Sequence, residues 1–198
     1  MTTILLDPGH GSDTPGKRSP DGHFREYAYN RYLAIEIRNR LTALGLDARI
    51  LVPEQNDIPL KERCRRANAV CKEKGSDNVL LISIHINASG NGSRWMTARG
   101  WSAFTTKGNT KADTLATCLY AEAEKYLPNH KIRKDQTDGD PDLEENYYIL
   151  RHTLCPAVLT ENLFMDNPED LAFLESDTGS QAIIKLHIEG IRQYLAQQ

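Results

Sequence analysis

The sequence predicts an α/β fold, a three-layer α/β/α sandwich around a mostly parallel, twisted sheet. Two observations carry this. Short apolar runs alternate with amphipathic helical stretches along the chain, the pattern of successive βαβ units. The third run, Val79-Leu80-Leu81-Ile82-Ser83-Ile84, is almost wholly apolar, as a strand covered on both faces should be.

The elements follow in order. Residues 4–7 read as a buried strand, and 9–22 as a long loop rich in Gly, Pro, Ser and Asp. Tyr29, Leu33, Ile37, Leu41 and Leu44 recur at spacings of three and four, which predicts a helix over 26–44 that Gly45 stops. A second strand is expected over 47–52. A second helix is expected over 60–74, with Leu60, Cys64, Ala67 and Cys71 on one face. The third strand spans 79–85. After a polar, Gly-containing connection over 90–100, residues 101–106 form a weaker strand and 110–126 a third helix. Residues 132–146 read as acidic and irregular, 147–150 as a short strand, and 157–161 as a buried one. The chain ends in helices over 168–174 and 180–195.

Composition narrows the function. In 198 residues, 24 basic against 27 acidic side chains leave a formal charge of −3, no surplus to hold nucleic acid or anionic lipid. The longest apolar stretch is far short of a membrane span. The chain enters its first strand at once, with no recognisable export signal ahead of it. A secreted mature form, a phage-type lysin and a cytoplasmic enzyme all stay open. Cys64, Cys71, Cys118 and Cys155 form no C-x-x-C pair and read as buried free thiols. The acidic run Asp135, Asp138, Asp140, Asp142, Glu144 and Glu145 fails the EF-hand spacing and reads as a solvated loop beside the groove.

Four residues stand where chemistry would need them. His10 follows the first strand between Gly9 and Gly11, Glu26 opens the first helix, and His85 and Glu161 each end a buried strand. Parallel strands bring such residues to one carboxyl edge, where open α/β proteins place their sites. Two imidazoles and a carboxylate leave a coordination position open for water, and a further carboxylate can act as base. The separations are long and irregular, so spacing alone also allows a turn histidine at His10 and a hydrogen-bonded core histidine at His85. Asn87, two residues past His85, is a candidate for supporting the site or touching substrate, and Arg151 for facing peptide carboxylates.

Leu6-Asp7-Pro8-Gly9-His10-Gly11, Arg25-Glu26, Ser83-Ile84-His85-Ile86-Asn87-Ala88 and Pro156-Ala157-Val158-Leu159-Thr160-Glu161-Asn162-Leu163-Phe164 occur in this order along nearly the whole chain. Together they resemble the zinc-dependent N-acetylmuramoyl-L-alanine amidases of the Amidase_3 type. The resemblance implies one Zn2+ held by His10, Glu26 and His85, with Glu161 as the catalytic glutamate. It implies hydrolysis of the amide joining N-acetylmuramic acid to L-alanine, on peptidoglycan or muropeptides. Residues 1–198 then form a single catalytic domain without a separate cell-wall-binding domain, expected to act as a monomer. One departure stands out: Leu163 occupies a position that is usually glycine. The connection 87–99 is also too short for the regulatory helix some relatives insert. The alternatives are a zinc amidohydrolase or carboxypeptidase acting on free muropeptides or other N-acyl amino acids, and a wall-binding module without activity.

Overall fold

The computed structural model describes residues 2–137 and 139–198. Twelve regular elements account for the architecture: β1 (Thr3–Pro8), α1 (Glu26–Ala43), β2 (Asp47–Ile50), α2 (Leu60–Lys74), β3 (Val79–Asn87), β4 (Ser102–Thr105), α3 (Lys111–Tyr126), β5 (Leu143–Glu144), α4 (Tyr148–His152), β6 (Ala157–Phe164), α5 (Pro168–Leu174) and α6 (Asp177–Leu195). They form a six-stranded sheet of order β2-β1-β3-β6-β4-β5. All neighbours run parallel except β4, which pairs antiparallel with β6. The three-layer, mostly parallel arrangement expected from the sequence is the one observed.

Side-chain alternation along the strands divides the core into two halves. Ile4, Leu6, Leu80, Ile82, Ile84 and Val158 face one side, packed with Leu33, Ile37 and Leu41 of α1, Leu115 and Leu119 of α3, and Ile183 and Ile184 of α6. Leu5, Val79, Leu81, Ala157 and Leu159 face the other, packed with Cys64, Ala67 and Cys71 of α2 and Ile149 and Leu150 of α4. Because β1, β3 and β6 are covered on both faces, a charged residue at their ends must find a partner. His85 and Glu161 continue the second face of their strands and stand opposite each other in register.

Four expectations need correction. Residues 147–150 do not extend a strand; they lead into α4. One helical turn buries the adjacent Ile149 and Leu150 together, whereas a strand would have sent them to opposite faces. The turn is closed by Thr153, which donates to the Ile149 carbonyl, and by stacking of Tyr148 on His152. The acidic stretch carries a short edge strand, β5, paired with β4. Asp142 there is buried and accepts from the Thr105 hydroxyl, while Asp138 lies outside the described residues. α6 begins three residues earlier than periodicity suggested, because Ser176 caps it by accepting from the Gly179 amide. Leu44 and Leu60, assigned to apolar helix faces, are exposed. All four cysteines are buried and free, as expected. Among the described residues no helix is long and apolar enough to cross a membrane.

Candidate metal centre

The turn after β1 is built for close approach. A β-carbon on Gly9 would lie 2.3 Å from the His85 ring, and one on Gly11 only 1.9 Å from the Asp57 backbone nitrogen, so neither position admits a larger residue. Between them His10 adopts φ +62°, a left-handed conformation that strains a residue with a side chain. Two arginines hold it there. Arg31 from α1 and Arg63 from α2 both donate to the His10 carbonyl, at 2.9 and 3.3 Å. Arg63 is itself fully buried and ion-paired to Asp7 at 2.8 Å, and Asp7 accepts from Ser83 of the neighbouring strand. Strand, turn and helix are thereby locked beneath the imidazole.

Glu26 reaches the same point from the first turn of α1. Its Oε1 lies 3.4 Å from His10 Nε2 and 3.3 Å from His85 Nδ1, and accepts from the Ile86 amide at 3.1 Å and from Asn30 at 3.4 Å. The His10 and His85 rings meet edge to face with centroids 4.9 Å apart. One ligand atom from each of His10, Glu26 and His85 lies within 4.8 Å of the others, and this is the one such cluster among the described residues. Glu26 Oε2 and, across the register, Glu161 Oε2 are buried without a hydrogen-bond partner among the described residues. Two imidazole nitrogens, a carboxylate oxygen and orphaned buried oxygens suit a small, borderline-soft divalent cation.

Electrostatics separate the four residues. Burial drives His10 down to about 4, with the Glu26 charge opposing it in part, so the imidazole is neutral and free to ligate. For His85 burial acts in the same sense, but the hydrogen bond and charge of Glu26 and the charge of Glu161 outweigh it and hold the ring above its ordinary value. Glu26 is the reverse: burial would raise it, yet bonding to His85 and the charges of His85, His10 and Lys17 keep it below. Glu161 is lifted to about 7, by burial foremost and by the nearby Glu26 charge, against the pull of His85 and Lys17. A carboxylate poised near neutrality beside a ligand cluster is matched to taking and returning a proton.

His10, His85 and Glu161 line one cavity of about 450 Å³, whose walls include Lys17, Asp57, Arg63, Leu60, Tyr147 and Tyr148. The other candidates fall elsewhere. Asn87 sits beyond a β-bulge in the pairing of β3 with β6, and its side chain accepts from the next amide, of Ala88. Arg151 is exposed on α4 and lines a separate depression with Asp77 and Lys107. Sequence reasoning did not single out Asp7, Arg31, Asn30, Arg63 or Asn162, which hold the centre in shape. An aspartate at the end of an apolar strand and an arginine three residues into an apolar helix face were the available signals. Asn162, buried, donates to the His85 carbonyl at 3.0 Å and accepts from Trp101 at 2.9 Å.

A potential ligand cluster next to a carboxylate raised toward neutrality, at the carboxyl edge of a parallel sheet, is an arrangement suited to metal-assisted hydrolysis. Comparison with known proteins narrows the class. The chain belongs to the Amidase_3 family, described as N-acetylmuramoyl-L-alanine amidase, which matches residues 4–193. It is 30% identical over 196 residues to the endolysin of Bacillus phage SPP1, covering 97% of this chain and 65% of that protein. It is 29% identical to the N-acetylmuramoyl-L-alanine amidase CwlM of Bacillus licheniformis, covering 96% of this chain and 68% of that one. The crystal structure of an N-acetylmuramoyl-L-alanine amidase from Clostridium difficile 630 superimposes with a TM-score of 0.80 at 25% identity, covering 100% of this chain and 98% of that one. AmiC2 of Nostoc punctiforme shares the fold, with a TM-score of 0.82 at 20% identity over 98% of this chain and 97% of that one. The chain spans between 52% and 68% of the length of such curated relatives.

Proposed function

We propose that this chain hydrolyses the amide between the lactyl group of N-acetylmuramic acid and L-alanine, with one Zn2+ held by His10, Glu26 and His85. The observation that carries the reading is Glu161, raised to about 7 and register-paired with His85 beside the three-ligand cluster. Family membership over 4–193 supplies the substrate class and supports reading residues 1–198 as one catalytic domain.

Bound zinc would supply Lewis acidity, polarising the substrate carbonyl and lowering the pKa of a bound water from 15.7 toward about 7. The protein does the rest. Glu161 takes a proton from the attacking water and returns it to the departing alanine nitrogen, which leaves as a neutral amine. Its burial raises its proton affinity toward the range a base working near neutrality needs. Arg31 and Arg63 fix the strained His10 carbonyl, so the imidazole keeps its aim without reorganising during turnover. The amide proton of Ile86 and the Asn30 carboxamide orient Glu26 in the same way.

The test is digestion of purified peptidoglycan, with mass spectrometry of the products, before and after chelation and zinc add-back. Stem peptides bearing a free L-alanine amine are expected, lost with chelator and restored by zinc. Zinc binding with untouched peptidoglycan would remove the substrate and favour free muropeptides or other N-acyl amino acids.

A further inference from the structure

The cavity beside the metal centre has two unlike walls. One is apolar and aromatic, formed by Ile58, Pro59, Leu60, Tyr147 and Tyr148. The other carries the cations Lys17 and Arg63. Arg63 has no capacity to spare, since its nitrogens are bonded to Asp7, Asp57 and the carbonyls of Pro8, His10 and Ile58. Asp57, the acid on that wall, is matched by Arg63 and by the Thr14 hydroxyl. Lys17 differs. Among the described residues its ammonium makes no ion pair and no hydrogen bond.

The backbone of Lys17 is nevertheless anchored. Its carbonyl accepts from the Glu26 amide at 3.1 Å, which ties it to the first residue of α1, and the adjacent Arg18 is bridged to Arg25. Its side chain lines the same cavity as His10, His85 and Glu161, beside the space where the scissile amide must lie. A half-buried lysine on the cavity wall without a partner among the described residues is suited to receive an anion.

Given the amidase reading, on which this inference rests, the substrate says which anion. On the acyl side lie a lactyl ether and an N-acetylated sugar, both uncharged. On the amine side, alanine within a peptide has no charge, and the next stem residue offers the first one. Peptidoglycan stems continue through the side-chain carboxyl of that residue, which leaves its α-carboxyl free or amidated. We propose that Lys17 is a specificity-determining residue that binds the free α-carboxylate of the second stem residue, so that the chain favours carboxylate stems over carboxamide stems. The uncharged portion of the substrate then lies along the apolar wall. A charge-assisted contact explains the preference, because a carboxamide leaves the ammonium desolvated against a neutral group.

The test uses the zinc-loaded chain and two tetrapeptide muropeptides differing only in that α-carboxylate or α-carboxamide. The ratio of kcat/KM values is read for the wild type, Lys17→Met, Lys17→Arg and Lys17→Glu. The wild type is expected to favour the carboxylate about tenfold, close to 1.4 kcal/mol, mainly through KM. Lys17→Met should bring the ratio to about one, Lys17→Arg should keep it and Lys17→Glu should invert it. A wild-type ratio near one overturns the proposal while leaving the amidase reading intact. So does an equal loss on both substrates in Lys17→Met, which would mean the lysine acts only on the charge of the metal centre. Hydrolysis of neither muropeptide removes the amidase reading and the proposal with it.

Discussion

β6 presents two buried polar clusters on its opposite faces, and only one of them is complete. On one face Thr160 meets His187 of α6 at 3.0 Å, His187 bonds the Ile183 carbonyl at 2.8 Å, and Asn162 bonds Thr160, Trp101 and the His85 carbonyl. On the other, Glu161 stands one residue along and opposite His85, with Oε2 orphaned, as is Oε2 of Glu26. Burial drives both His187 and His10 to about 4. A lowered histidine pKa therefore does not by itself tell function from structure here. The state of the hydrogen bonds does: the satisfied cluster braces the strand, and the unsatisfied one is left with capacity for a ligand.

The strongest way to break this comparison is at Glu161. Glu161→Gln keeps shape and burial but cannot accept the water's proton. Turnover should fall by about 10²- to 10⁴-fold, the contribution of a positioned base, with zinc content unchanged by elemental analysis. His85→Ala should instead lose the metal. If Glu161→Gln retained ordinary turnover, the orphaned carboxylate would have no part in the chemistry. Comparable loss from His187→Leu would sink the contrast from the other side.

Arg63 lies between the clusters in character, fully satisfied yet serving the site. Arg63→Met should strand the buried Asp7 carboxylate and release the His10 carbonyl. The destabilisation expected for breaking a buried pair is about 3–5 kcal/mol, read as a lowered urea midpoint. Zinc affinity of the folded fraction should fall as well. Unchanged zinc affinity would reduce Arg63 to a brace for β1 and α2.

The complete cluster should show itself in pH dependence. His187 is neutral in the fold down to about 4, while its unfolded value is 6.5. Between those values the unfolded chain takes up a proton that the folded one refuses, so stability is lost as pH falls through the window. The amount is about 3 kcal/mol for this one group. His187→Leu should flatten the melting-temperature profile of the zinc-loaded protein between pH 6.5 and 4. A profile identical to wild type would assign acid instability to other groups.

Much of this was legible beforehand because strand ends and burial are written in local pattern. The apolar runs before His85 and Glu161 located both, and the opening of α1 located Glu26. What was not legible depends on contacts between distant segments. Arg63 is one of several arginines in its helix, and only the packing of α2 against β1 picks it out. Lys17 reads as loop polarity until α1 fixes its carbonyl. Tyr147 to Leu150 has strand-like residues, but burial of neighbouring Ile149 and Leu150 on a common side selects a helical turn.

Leu163 tests the bracing of β6 most finely. It has φ +68° where a glycine would be unstrained, and its side chain is fully buried in the larger core cluster. The bulge that separates His85 and Glu161 from the Asn87–Phe164 pair lies beside it. The left-handed backbone costs about 1–2 kcal/mol, while removing a buried leucine side chain costs about 2–5 kcal/mol. At mid-range packing outweighs strain, so Leu163→Gly should be net destabilising by about 2 kcal/mol in urea unfolding. The bulge itself should survive, since glycine accepts the same φ, and turnover should stay within a few-fold of wild type. A stabilised variant would mean that strain at this turn exceeds the worth of the side chain it carries.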